Sequence, residues 1–287
     1  MTRPVRTYRP EGAPTRGKTA RNRLRRVDIF ALLYAPDLIR RADAPEEVSL
    51  YVDLGYGAEA YTTLESAVRF RQHNAALRVL GVEIEPDRVA AAQPYADGQT
   101  FFRLGGFNLP LQTGERVRLL RAFNVLRQYE EAQVLEAWQR MGSYLEPGGL
   151  LIEGTSDPLG RIWTANVLRR EPQGLRYEAL VFSTNFHWGF EPSIFQPVLP
   201  KNLIHRMVAG EEIYSFMEAW KETAREMIGL RAFGLRQWFA GSAAALAERG
   251  YDLLQRKKYL QRGFLVWRPN AWLGRPDLSE ILPINNQ

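Results

Sequence analysis

The feature that most constrains this sequence is a regular alternation of short apolar runs and amphipathic segments between residues 48 and 154. Short apolar runs bounded by turn residues predict buried strands, whereas apolar residues three and four positions apart predict helices. Strands that alternate with helices form a parallel sheet with helices packed on it. The predicted strands are 48–54, 79–84, 100–103, 117–123 and 150–153, and the predicted helices are 60–72, 86–92 and one through Val134 and Leu145 that ends at Glu146-Pro147-Gly148-Gly149.

The alternation stops after residue 154. Two extended runs, 161–170 and 175–184, surround Glu171-Pro172-Gln173-Gly174 and predict a β-hairpin. We expect this hairpin to belong to an insert over about 155–234, together with an aromatic loop at 185–200 and a helix whose apolar face runs from Ile213 to Met227. A further helix is expected from Leu235 to Gly250, and residues 251–254 and 264–268 are expected to close the fold as an antiparallel pair.

Positive charge is concentrated at the N-terminus. The chain carries a formal net charge of +6, yet residues 1–26 alone carry +8, because they hold nine basic side chains and the single acid Glu11. Such an arm either stays solvated, in which case it can attract nucleic-acid phosphates, or docks on the body. Apolar residues from Leu24 to Leu33 indicate a docking helix over about 19–33. The predicted division is therefore 1–45 for the arm and docking helix, and 46–287 for the main domain.

The composition excludes disulfide chemistry and gives no support for a metal site. The sequence contains no cysteine, which excludes disulfides and thiolate metal ligands. Its three histidines lie far apart, so no metal site is predicted. No apolar run approaches the roughly 20 residues of a membrane span, and no secretory signal is recognisable, so we expect a cytoplasmic protein without a membrane partner.

The first predicted strand runs into Val52-Asp53-Leu54-Gly55-Tyr56-Gly57. A glycine-containing turn between a strand and a helix allows a ligand to approach the backbone closely. Glu83 ends the second strand, where a carboxylate can accept hydrogen bonds from the hydroxyls of a ribose. A dinucleotide would need its pyrophosphate near the following helix, but the negative charge of Glu59 stands there. The turn therefore favours a nucleoside with a cationic group over a dinucleotide.

The order VDLGYG, GVEIEP, AFNVL and YLEPGGLLIEG resembles the motif series of class I S-adenosylmethionine-dependent methyltransferases over residues 48–154. The resemblance implies a Rossmann-like fold, that is, a doubly wound, mostly parallel seven-stranded α/β sheet, with the segment at 251–268 similar to the reversed seventh strand. It implies that Asp53, Gly55 and Gly57, with Tyr56 between them, hold the methionine part of S-adenosylmethionine. It also implies that Glu83 binds the ribose and that Ile84 lies beside the adenine.

The sequence departs from the family at three places. Glu59 replaces a third glycine, Gly105-Gly106-Phe107 replaces the acid that contacts the adenine amine, and Asn124-Val125-Leu126-Arg127 replaces the Asp/Asn-Pro-Pro-Tyr of amino-methylating nucleic-acid enzymes. We expect Gly106 and Phe107 to contribute to the cofactor site, with the Phe107 ring packed on the adenine.

The candidates for the acceptor side each have two interpretations. Asn124 either orients the acceptor, beside the cofactor, or caps the turn after the fourth strand. His205 acts either as a general base or as a structural residue. The aromatic side chains of the 185–200 loop either stack on an acceptor or pack on the core; they are Phe186, His187, Trp188, Phe190 and Phe195.

The sequence therefore predicts a methyltransferase that uses S-adenosylmethionine and an unidentified acceptor, with a small molecule favoured over a nucleic acid. The alternative is an RNA- or DNA-binding protein, or a nucleic-acid methyltransferase, that uses residues 1–26 to bind phosphates. A nucleotide-dependent oxidoreductase is disfavoured by Glu59.

Overall fold

In the computed structural model, which describes residues 8–44, 47–269, 273 and 281–284, a mixed sheet of nine strands forms the centre. The strand order is β3-β2-β1-β4-β5-β6-β7-β8, and β9 pairs with β7. The strands are β1 Val48–Leu54, β2 Val79–Glu83, β3 Thr100–Leu104, β4 Glu115–Phe123, β5 Leu145–Ser156, β6 Ile162–Glu171, β7 Gly174–Thr184, β8 Phe264–Trp267 and β9 Ile281–Pro283.

The first five strands are parallel to one another, as the alternation predicts. From β5 onward every pairing is antiparallel, so β7 shares the direction of the first five strands while β6, β8 and β9 run against it. Parallel neighbours require crossover connections, which the helices between them supply. The described helices are α1 Arg25–Tyr34, α2 Pro36–Arg40, α3 Tyr61–Arg71, α4 Pro86–Ala92, α5 Ala132–Gly142, α6 Lys201–Ile204, α7 Glu212–Glu226, α8 Leu235–Glu248 and α9 Lys257–Leu260.

Helices cover both faces of the parallel half of the sheet. Phe30 of α1 and Phe70 of α3 belong to the apolar core on one face, whereas Trp138 and Met141 of α5 belong to the core on the other. A third core joins α7 and α8 to the β7–β8 end of the sheet. The chain is therefore a mixed α/β protein whose parallel strands are wound on both sides.

The predicted hairpin forms, but its predicted position in an insert is wrong. Its strands β6 and β7 pair with β5 and β8 and so continue the main sheet. Their burial explains this placement, because Val167, Ala179 and Val181 are fully buried in the same core as α1. The part of the segment that stands outside the sheet begins only after β7.

Two further expectations need correction. Over the described residues the sheet has nine strands and not seven. The expected antiparallel pairing of 251–254 with 264–268 is present as a single bridge, Leu253 to Trp267 of β8, flanked by hydrogen bonds from the Leu254 N–H to the Val266 carbonyl at 2.9 Å and from the Arg268 N–H to the Asp252 carbonyl at 2.8 Å. The Pro-Gly-Gly sequence does not end α5, which stops at Gly142; it lies within β5, where Leu145 already pairs with Val117. The register shift between the β4 residues Val117 and Leu119 accommodates the extra residues in β5.

The N-terminal arm docks on the body, although its helix is shorter than predicted. Leu24, Val27 and Phe30 are buried, and α1 begins only at Arg25. Residues 8–20 form no helix or strand and cross the edge of the sheet where β1 and β2 end. We call this segment the strap. Within the described part of the chain, no helix is both long and apolar enough to cross a membrane.

Candidate functional site

A cavity with an open volume of about 270 Å³ lies at the carboxyl ends of β1 and β2. This is the position at which open α/β sheets bind ligands. Five of the predicted cofactor residues line it: Gly55, Glu83, Ile84, Gly106 and Phe107. The remaining lining residues are Glu11, Thr15, Leu54, Gly105, Val125 and Tyr129.

Glu83 is the buried carboxylate of this cavity, with 1% of its surface exposed. Its Oε2 accepts a hydrogen bond of 2.9 Å from the Gly57 N–H, and its Oε1 accepts one of 2.9 Å from the Ile84 N–H. Arg88 Nη1 lies 3.4 Å from Oε1. The Glu85 N–H also lies 3.4 Å from Oε1, so Oε1 is fully engaged. Oε2 accepts from Gly57 alone and therefore retains a lone-pair position for a ligand hydroxyl.

Asp53 does not line the cavity, so the ligand contact expected for it stays a prediction. Its Oδ2 accepts hydrogen bonds from the hydroxyls of Thr62 at 2.7 Å and Thr63 at 2.8 Å. Its Oδ1 accepts from Arg121 Nε at 3.0 Å. Asp53 therefore fixes the first turn of α3 and the neighbouring strand β4, and it acts on the glycine turn only through this scaffold.

Arg121 joins two carboxylates in the protein interior. Besides Asp53 it pairs with Asp28 of α1, and Asp28 also pairs with Arg69 of α3. Burial alone would lower the pKa of Arg121, but Asp53, Tyr51 and Asp28 raise it above its ordinary value, so the guanidinium stays charged. This ionic cluster (Asp28, Asp53, Arg69 and Arg121) ties α1 to the strand that carries the glycine turn.

Tyr56 and Gly57 lie behind the cavity wall. Tyr56 is buried with its ring against Phe102, and its carbonyl accepts a hydrogen bond of 2.9 Å from the Thr19 hydroxyl. Gly57 contributes its N–H to Glu83. Both residues therefore shape the site without lining it, and Glu59 is exposed outside it.

The side chain of Asn124 connects the end of β4 to the end of β5, a role that neither of its two interpretations gave. It adopts a left-handed conformation with φ of 60°, which asparagine tolerates better than most residues. Its Oδ1 accepts from the Ser156 N–H at 3.1 Å, and its Nδ2 donates to the Ser156 hydroxyl at 3.2 Å. Asn124 does not line the cavity, so direct contact with cofactor or acceptor stays a prediction.

The other acceptor candidates lie elsewhere. His205 is exposed beyond α6, with Nε2 3.2 Å from Lys201 Nζ, and it does not line the cavity. Three of the loop aromatics pack in the core with α7 and α8, namely Phe186, Phe190 and Phe195. Trp188 is 53% exposed and lies over Arg161. Most of the aromatic side chains of this loop therefore pack on the core, as the second of their two interpretations states.

Phe107 forms part of the apolar side of the cavity. Its ring is 9% exposed and lies 5.2 Å, centroid to centroid, from the ring of Tyr129. Ile84 adjoins the same apolar space next to the carboxylate of Glu83. Gly12 of the strap lies over it, since a Cβ on Gly12 would come within 3.5 Å of Ile84 Cδ1 and 3.8 Å of Phe107 Cε2. The surface on which we expect the adenine to pack is therefore covered by the strap.

We expect Phe107→Leu to weaken binding of S-adenosylhomocysteine by about three- to tenfold, because leucine keeps an apolar side chain but removes the aromatic face. Methionine, which has no ring, should bind the variant and the wild type equally. Isothermal titration with both ligands measures the difference. An equal loss for both ligands, or no loss for either, would contradict the role assigned to Phe107.

A second cavity, of about 330 Å³, lies between α5, β7 and α6 and is lined in part by Trp138, Tyr177 and Asn202. Behind it, Asn166 Nδ2 donates to Glu153 at 2.8 Å, and burial raises the pKa of Glu153 to about 7. None of the sequence-predicted site residues lines this cavity. We therefore place the candidate site at the ends of β1 and β2.

Sequence reasoning missed the strap residues Glu11 and Thr15. They belong to the cavity wall only because the arm folds back across the sheet edge. In the sequence the arm is distinguished by its positive charge, and this charge does not indicate which backbone contacts hold the arm on the body. Tyr129, whose position after the fourth strand makes it either a pocket residue or a surface residue, does line the cavity.

Comparison with known proteins gave no matching family model and no matching curated protein. Solved structures similar to part of the chain include LepI in complex with SAM, with 20% identity over 42% of this chain and 30% of that chain, at a TM-score of 0.33. The magnesium protoporphyrin IX methyltransferase ChlM from Synechocystis PCC 6803, with bound SAH, shows 19% identity over 46% of this chain and 54% of that chain, at a TM-score of 0.34.

CalS10, an amino pentose methyltransferase from Micromonospora echinaspora with bound SAM, shows 21% identity over 59% of this chain and 72% of that chain, at a TM-score of 0.35. The chain thus spans less than a third of LepI and about half of ChlM. Structures similar to this chain therefore include methyltransferases with SAM or SAH bound, the class predicted from the motifs. At these identities and TM-scores, what the chain itself does rests on its own residues.

Proposed function

We propose that this chain is an S-adenosylmethionine-dependent methyltransferase that acts on a small-molecule acceptor. One observation carries the proposal: the cavity combines the buried carboxylate of Glu83 with an apolar surface, and none of its eleven lining residues is cationic. The carboxylate of Glu11, another lining residue, is paired with Arg140. A nucleoside whose sugar hydroxyls reach Glu83 and whose other end is positively charged is compatible with these groups. S-adenosylmethionine carries both a sulfonium and an ammonium.

Negative charge at and near the cavity disfavours a dinucleotide as the ligand. A pyrophosphate would meet the carboxylate of Glu83 and, outside the cavity, the exposed Glu59 at the start of the following helix. Arg88 is the nearest guanidinium to Glu83, and it is already engaged by that carboxylate and by the strap. The cavity therefore supports a nucleoside with a cationic tail better than a dinucleotide.

The chemistry expected at this site is a direct displacement. When bound, S-adenosylmethionine supplies an activated methyl group, which passes to the acceptor's nucleophile as the carbon–sulfur bond breaks and the sulfur leaves as a neutral thioether. The protein contributes mainly position and orientation. Glu83 and the apolar surface hold the nucleoside, while the backbone of the glycine turn sets where the reacting end lies. His205 is not placed to remove a proton at this cavity.

Transfer of a labelled methyl group tests the activity and the acceptor class together. The protein is incubated with methyl-labelled S-adenosylmethionine and, separately, with a metabolite extract or a total RNA pool from bacteria. We expect label in the metabolite fraction, and none when Glu83→Gln is used. Label only in RNA would overturn the small-molecule acceptor, and label in neither fraction would count against the activity.

The exposed cations of the arm, Arg16, Lys18, Arg21 and Arg25, keep nucleic acid as the second candidate partner. Because the strap is docked, we expect the full chain to bind a mixed RNA pool no more than about threefold more tightly than a chain lacking residues 1–20, at 50 and at 200 mM salt. Filter binding measures the affinity of each chain for RNA at the two salt concentrations. Tight binding that falls steeply with salt and disappears on truncation would instead make nucleic acid the acceptor.

A further inference from the structure

The strap lies against two of the three glycines that the sequence assigns to the cofactor site. A Cβ on Gly57 would come within 2.6 Å of Thr19 Oγ1 and 2.7 Å of the Gly17 carbonyl oxygen. A Cβ on Gly106 would overlap the carbonyl oxygen of Glu11. In this structure, therefore, the absence of side chains at these positions makes room for the strap itself.

Backbone hydrogen bonds hold the strap at both ends of the cavity. The Ala58 N–H, beside the glycine turn, donates to the Gly17 carbonyl at 2.8 Å, and the Phe107 N–H, after β3, donates to the Glu11 carbonyl at 2.8 Å. Glu11, at one of these points, and Thr15, between them, line the cavity on its outer side, while the Glu11 carboxylate pairs with Arg140 Nε at 3.0 Å. The space between strap and sheet is thus bounded by the strap on one side and by Glu83 and Phe107 on the other.

Two side chains outside the strap fix its position. Arg88 on α4 donates to the Thr15 carbonyl at 3.0 Å while its other nitrogen lies 3.4 Å from Glu83 Oε1, so it connects the strap to the buried carboxylate. Asn108 donates to the Arg9 carbonyl at 2.8 Å and accepts from the Glu11 N–H at 2.7 Å. Asn108 does not line the cavity, so it holds the strap without belonging to the ligand site.

We propose that the strap is the outer wall of the nucleoside site, which closes over the bound ligand and controls its release, and that Arg88 is a positioning residue that couples this closure to Glu83. The proposal rests on the proposed function, because it takes S-adenosylmethionine and its product as the ligand. It goes beyond that function in assigning the N-terminal segment to the site and in naming the contacts that close it.

Closure of this kind has a definite kinetic signature. The ligand reaches the cavity only when the strap lifts from Ala58 and Phe107, and it leaves only when those hydrogen bonds open again. Removing the strap should therefore accelerate dissociation, whereas association should stay equal or become faster. Affinity falls because the contacts of Glu11 and Thr15 are lost.

The test compares the full chain with a chain that lacks residues 1–20, which retains α1 and the ionic cluster. Stopped-flow measurement with S-adenosylhomocysteine should show dissociation at least about tenfold faster after truncation, and a smaller acceleration in Asn108→Ala and Arg88→Ala. Arg88→Lys should restore part of the slow release. Arg78→Ala, an exposed arginine at the start of β2, serves as the matched control and should leave the rates unchanged.

Hydrogen–deuterium exchange of the ligand-free proteins gives a second readout that needs no ligand. The amides of Ala58 and Phe107 should exchange about tenfold faster in the truncated chain, while the amide of Ile152 in the centre of β5 keeps its wild-type rate. Equal exchange of Ala58 and Phe107 in both proteins would show that the strap is not docked and would overturn the proposal.

The outcomes separate this proposal from the proposed function. Unchanged dissociation in a truncated chain that still binds the ligand would refute the strap's role alone. Tighter binding after truncation would also refute it, since the strap would then compete with the ligand. If neither chain binds S-adenosylhomocysteine, the proposed function fails, and the strap's role as a ligand wall fails with it.

Discussion

Replacing Arg121 by methionine is expected to lower the free energy of unfolding by about 3–5 kcal/mol, the usual cost of removing one partner from a buried ion pair. Arg121 is 2% exposed and is the group that faces both Asp53 and Asp28. Without it these two carboxylates are left in the interior, with Asp28 still paired to Arg69. Urea denaturation followed by tryptophan fluorescence measures the change.

Arg116→Met is the matched control, because Arg116 lies on the same strand but its side chain is 61% exposed and its partner Glu47 is 54% exposed. An exposed pair of this kind contributes at most about 1 kcal/mol. If Arg121→Met were no more destabilising than Arg116→Met, the ionic cluster would not hold α1 to the sheet as described.

Glu83→Gln is expected to weaken binding of S-adenosylhomocysteine by about ten- to a hundredfold, since hydrogen bonds to a charged acceptor are worth about 1.5–3 kcal/mol. The amide keeps the size of the side chain but lacks the charge, and it brings N–H donors towards the Gly57 and Ile84 amides that Glu83 now accepts from. Titration calorimetry on the folded variant gives the affinity.

Asp87→Asn, an exposed change on α4, controls for the loss of one negative charge and should bind normally. Asp53→Asn provides the informative contrast. Because Asp53 contacts Arg121 and two threonines and does not line the cavity, its replacement should reduce stability first and affinity only as a consequence. Normal affinity in Glu83→Gln would remove the ribose-binding role from this residue.

The parallel half of the fold is predictable because its signals are local. The runs that form β1 and β2 are mostly apolar, and every residue except Val48 is buried, as expected of strands covered on both faces. The Gly55 turn and Glu83 follow from their positions at the ends of those strands. The antiparallel half is less predictable, because a hairpin sequence shows that β6 and β7 pair but not which sheet they join.

The roles of individual site residues depend on partners that are distant in sequence. The position of Asp53 near the end of β1 predicts a ligand contact. In the structure its Oδ1 accepts a hydrogen bond from Arg121, which lies 68 positions further along the chain. The Phe107 N–H donates a hydrogen bond to the Glu11 carbonyl, although β1, β2 and β3 lie between these two residues in the sequence. Nothing local in either segment encodes that pairing, so the strap's place in the site appears only in three dimensions.

The most direct test of the central claim is a calorimetric titration of the wild-type chain with S-adenosylhomocysteine, with NAD⁺ as the competing ligand. We expect one site per chain with a Kd in the micromolar range or below, and no detectable heat with NAD⁺, because the lining of the cavity presents the Glu83 carboxylate and no cation to a pyrophosphate. Binding of NAD⁺ with no binding of S-adenosylhomocysteine would contradict it.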